Sequence, residues 1–83
     1  SGYYIGQTKD ANGLLSNKTT TYSNSISFSE GGDANIVSSS AYLRYNATSQ
    51  KDKNNKEIGL RFRYYKSKTY SNQTAIQLYK LEN

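Results

Sequence analysis

Apolar and polar residues alternate with a period of two through much of the chain, most sharply in Gly59–Ser67, GLRFRYYKS. On an extended strand Leu60, Phe62 and Tyr64 fall on one side, and Arg61, Arg63 and Tyr65 on the other. This stretch is expected to form the central strand, with its apolar side in the core and its arginines on the outer face. Ser25–Ser29 repeats the pattern, with Ile26 and Phe28 inward and three serines outward. Glu30-Gly31-Gly32-Asp33 then supplies a tight turn, and Ala34–Ser38 returns as the second arm of the clearest hairpin. After a break at Ser38–Ser40, Ala41–Asn46 (AYLRYN) predicts a further strand, with Leu43 and Tyr45 opposite Tyr42 and Arg44.

The remaining segments are read with the same rules. Tyr3–Gln7 and Leu14–Ser16, joined through Asn12-Gly13, predict a looser first hairpin. Asn17–Asn24 is polar and Thr-rich, and fits either a continuing strand or a connection. Ala47–Glu57 carries five charges and no apolar period, so a mobile hairpin tip is expected there. Lys66–Asn72 turns the chain, and Ala75–Leu81 closes the domain. No stretch has the 3.6-residue period of a helix. The expected fold is therefore all-β, with about six or seven short antiparallel strands, because parallel crossovers need a dozen or more residues. A small closed barrel is favoured over a two-sheet sandwich, since so short a chain rarely fills two sheets. Ile26, Phe28, Ile36, Leu43, Leu60, Phe62, Ile76 and Leu78 are the expected core.

Composition sharpens this picture. The 83 residues suffice for one domain, placed at residues 3–83, with Ser1-Gly2 resembling the remnant of a cleaved tag and the whole reading as a module of a longer protein. Only 34% of residues are apolar, yet nine are Tyr, so Tyr is expected to contribute to the core. The absence of His and Cys removes the commonest general base, the commonest nucleophile system and any ordinary zinc site. Glu30 and Asp33 bracket one turn, and Asp52 and Glu57 share one loop, which suits turn chemistry better than an acid–base pair. Neither a catalytic centre nor a cofactor or metal site is expected. No apolar run is long enough to span a bilayer.

A binding role rests on the net charge of +5 and on five side chains: Tyr42, Arg44, Arg61, Arg63 and Tyr65. If the AYLRYN and RFRYY strands pair, these share one face. Aromatic rings there would offer a platform for a glycan or for unstacked bases, and arginines would add planar charged donors. The plainer alternative is that such cross-strand pairs only stabilise an exposed sheet face, and that the charge serves solubility.

The order YYIG, SISFSEGGDANI, AYLRYN, a charged loop, LRFRYYKS and IQLYKL resembles a small β module. That module recurs at the C-terminal end of secreted and surface proteins, some of them nucleases, of gut Bacteroidetes-type bacteria. The resemblance implies a non-catalytic, extracytoplasmic accessory domain beside other domains of its parent protein. Such a domain would serve carbohydrate binding or adhesion, nucleic-acid binding for a neighbouring nuclease, or a purely structural end-cap or sorting role.

Overall fold

The computed structural model describes residues 2–78. The first hairpin forms as the turn signals indicate: β1 (Tyr4–Gly6) pairs antiparallel with β2 (Leu15–Asn17), and the Thr-rich stretch after Asn17 is a connection. A second sheet holds four antiparallel strands in sequence order: β3 (Ser25–Phe28), β4 (Ala34–Ser38), β5 (Ala41–Asn46) and β6 (Arg61–Tyr65). The turn between β3 and β4 uses Gly32 at φ +90°, a conformation that costs glycine little. Between β4 and β5 the chain reverses on Ser39 and Ser40 at φ 49° and 73°, the paired left-handed geometry of a tight hairpin. The only helical element among the described residues is one 3₁₀ turn, Tyr70–Asn72.

One sheet expectation is corrected. β6 is not central: it lies at one edge of the four-stranded sheet and β3 at the other, so no closed barrel is found. A single residue from the first hairpin caps β6, with Gly13 N–H donating to the Tyr64 carbonyl at 2.9 Å and Tyr64 N–H donating back at 2.8 Å. The inner strands are β4 and β5, which pair with each other only through Val37–Tyr42 and Ser38–Ala41. Beyond that, residues 74–76 lie along both strands. Thr74 exchanges two backbone hydrogen bonds of 3.0 Å with Tyr45, and Ala34 N–H donates to the Ile76 carbonyl at 2.8 Å. The expected closing strand thus exists as two isolated bridges, and its Tyr79–Leu81 portion lies outside the described residues.

The core is small: Ala34, Ala41, Leu43, Tyr64 and Ile76, with Ile36 and Tyr45 packed against it. These residues share one face of the sheet, as alternation requires. One end of that face is closed by the N-terminal segment. Ser38 Oγ accepts from Gln7 N–H at 2.9 Å and donates to the Ser23 carbonyl at 2.7 Å, and Tyr64 Oη donates to Asn24 at 2.6 Å. Gly6 is required here, because a Cβ would come within 2.2 Å of the Tyr22 Cβ.

The other end is open. Ile26, Phe28, Leu60, Phe62 and Leu78, all expected in the core, are exposed; Phe28 and Phe62 retain 62% and 59% of their accessible surface. Alternation sorts residues between two faces, but burial needs a second layer, and the first hairpin reaches only the Ser38–Tyr64 end.

The charged loop after β5 carries a network of hydrogen bonds to its own carboxylates. Glu57 accepts the backbone N–H groups of Gln50, Gly59 and Leu60 at 3.0, 2.7 and 3.1 Å, as well as the Ser49 hydroxyl. These bonds hold its carboxyl far below the usual glutamate range. Asp52 accepts the Asn54 and Lys56 amides at 2.8 and 3.0 Å.

Candidate functional site

Strand pairing brings the five sequence-predicted residues together. Tyr42 faces Tyr65, Arg44 faces Arg63, and Arg61 lies opposite Asn46, so Tyr42, Arg44, Arg61, Arg63 and Tyr65 share the face away from the core. That face is nevertheless not an open platform. Arg44 keeps only 6% of its surface. Its guanidinium donates to Asn35 Oδ1 at 2.6 Å and to the Leu43 carbonyl at 3.1 Å, with a longer 3.5 Å contact to the Ala34 carbonyl. The Arg44 Cζ lies 5.3 Å from the Tyr42 ring and 5.0 Å from the Tyr70 ring. Those two rings stack with centroids 3.8 Å apart and planes within 5° of parallel.

Arg44 therefore bonds groups on both β4 and β5 close to where residues 74–76 bridge them, and its charge is met by carbonyls and ring faces. Tyr65 is buried too, and Arg63 is half-buried with its Cζ 5.5 Å from the Tyr65 ring. Of the five, only Arg61 is exposed. Arg44 and Tyr65 thus lie on the expected face but are buried there, and the 3₁₀ turn carries Tyr70 across Tyr42 and Arg44. Sequence reasoning missed Tyr70 because KSKTYSN reads as a polar turn, and a single ring in it carries no periodic signal.

The more accessible chemistry lies on the opposite face, where Tyr45 and Phe62 form a directly opposed pair. Their rings meet at 4.8 Å and 57° and form one wall of a shallow cleft of about 360 Å³. Thr74, Ala75, Ile76 and Gln77 complete the lining. No acidic or basic side chain takes part. Alternation had assigned Phe62 to the core, so its role in an open aromatic wall was not legible. A second depression of about 330 Å³ is formed by Gly2, Tyr3, Tyr4 and Lys18, with Lys18 Nζ 5.5 Å from the Tyr3 ring.

The carboxylates of Asp10, Asp52 and Glu57 are engaged in holding backbone amides. Asp10 accepts the Ser67 N–H at 2.8 Å as well as its hydroxyl, which lowers its pKa. Burial pushes the Tyr64 phenol upward. No helix among the described residues is long and apolar enough to cross a membrane. Comparison with protein-family models, curated proteins and solved structures finds no match to this chain.

Proposed function

We propose that this chain is a non-enzymatic accessory module of a secreted or cell-surface bacterial protein, and that it binds a neutral carbohydrate through the Tyr45–Phe62 cleft. The observation that carries this reading is the cleft itself: exposed aromatic carbon beside hydroxyl and amide groups, with no formal charge in the lining. Sugar rings present apolar C–H faces that pack on aromatic rings, and their hydroxyls need neutral donors and acceptors. Nucleic acid fits less well, because phosphate binding needs free cationic groups and Arg44 is already engaged within the fold. The non-enzymatic part is supported by the absence of His and Cys and by the structural use of Asp10, Asp52 and Glu57. For the architecture we favour two packed sheets over a barrel, with the first hairpin covering part of the second sheet.

Calorimetric titration with a panel of neutral oligosaccharides, and with labelled single-stranded DNA at two ionic strengths, tests the reading. Salt-insensitive oligosaccharide binding that Phe62→Ala abolishes in a folded protein is expected. DNA binding that falls steeply with salt, with no oligosaccharide binding, would replace it by the nucleic-acid reading. Binding of neither leaves the module a structural end-cap.

A further inference from the structure

The two edges of the four-stranded sheet are built differently. The β6 edge is capped by Gly13 and carries Arg61 and Arg63. Among the described residues no strand lies beyond the β3 edge, and all four of its residues, Ser25, Ile26, Ser27 and Phe28, are exposed. The Ser29 N–H donates inward to the Asp33 carbonyl at 2.9 Å. Because antiparallel pairs alternate, Ser27 opposite Asn35 and Ser25 opposite Val37 also direct their amides inward. The N–H and C=O groups of Ile26 and Phe28 therefore point outward, where no further strand of the described residues lies.

Natural edges are commonly blunted by lysine, proline or a bulge. None of these is present here. Thr19–Ser29, TTTYSNSISFS, contains no charged residue, although the chain as a whole carries a net +5. An approaching strand meets no charge, whereas every cationic part of the surface would repel a second copy.

We propose that the β3 edges of two copies of this chain pair antiparallel about a two-fold axis through Ser27, joining their sheets into one of eight strands. In this register Ile26 and Phe28 of each copy exchange both backbone hydrogen bonds with Phe28 and Ile26 of the other, so the outward groups of the edge are all satisfied. The axis is perpendicular to the sheet, so the open apolar faces of the two copies lie on the same side. Each β-branched side chain then faces an aromatic ring, a favourable cross-strand pair. The edge is self-complementary in backbone bonding, side-chain type and charge. Being four residues long, it buries less than the roughly 1,200 Å² of stable specific interfaces, so the dimer is weak and depends on concentration.

Sedimentation equilibrium over a wide concentration range, together with amide exchange, tests this. A monomer–dimer equilibrium is expected, and the Ile26 and Phe28 amides should gain protection as the dimer forms while those of Ser25 and Ser27 stay protected throughout. Ser27→Lys, an exposed change that places like charges beside each other at the axis, should shift dimerisation to at least tenfold higher concentration. Phe62→Lys, on the same apolar face near the other edge, should leave it unchanged. Circular dichroism confirms that each variant is folded, and Ile26→Lys serves as a second variant if Ser27→Lys is not. A monomer at every concentration overturns the proposal. So does a dimer that resists Ser27→Lys but is lost in Phe62→Lys, which would mean association through the apolar face.

Discussion

One face of the four-stranded sheet has two ends of similar composition and opposite fate. At the closed end Gln7 bonds Ser38 and Asn24 bonds the Tyr64 hydroxyl, and Tyr64 has no accessible surface. At the open end Phe62, two residues from Tyr64 on the same strand, retains more than half of its surface, as do Ile26 and Phe28. The strands, the alternation and the residue types match; only the covering layer differs. An aromatic ring on the inner side of a strand is therefore a core residue or a contact surface according to what another segment places above it.

The largest test of this contrast is truncation at both ends. Tyr64→Ala should cost about 3–5 kcal/mol in urea unfolding, a large share of the stability of so small a domain. Phe62→Ala should cost about 1 kcal/mol, chiefly its edge contact with Tyr45. Equal losses at the two positions would show that the open end is covered in solution. Removing the buried guanidinium follows in size. Arg44→Ala leaves Asn35 and the Leu43 carbonyl without their charged donor and should cost about 2–3 kcal/mol. Arg61→Ala, at an exposed position, should stay within about 0.5 kcal/mol; if Arg44→Ala is as mild, its hydrogen bonds contribute no more than water would.

Gly6→Ala forces a Cβ onto Tyr22 where the hairpin meets the sheet, and about 1–3 kcal/mol of overpacking loss is expected. The same change at Gly32 keeps its space clear and acts only through the turn conformation, so its loss should be smaller. The smallest effect expected is in the loop. Glu57 has its carboxyl pKa depressed by backbone amides, so its stabilisation is present above the ordinary value of 4.5 and is lost as pH falls below it. Glu57→Gln should flatten that acid limb of a stability–pH profile, and an unchanged limb would assign it to other carboxylates such as Asp10.

Local chemistry in the sequence determined much of this protein by itself. Asn12-Gly13, Gly31-Gly32 and the serine break place the turns, and period-two alternation places Ile26, Ile36, Leu43 and Tyr64 on one face with Arg44, Arg61 and Arg63 on the other. These signals are legible because a turn or a pleat depends on neighbours one to four residues away. Only the tertiary structure decided how each face is covered. Tyr70 crosses from a polar turn to stack on Tyr42 and cover Arg44, so that arginine of the expected ligand face is internal. The first hairpin reaches Ser38 and Tyr64 but stops short of Phe62, so an expected core residue becomes the wall of a cleft. Those contacts join residues some 15 to 40 positions apart, and their reach depends on where intervening segments end, a quantity that no local period encodes.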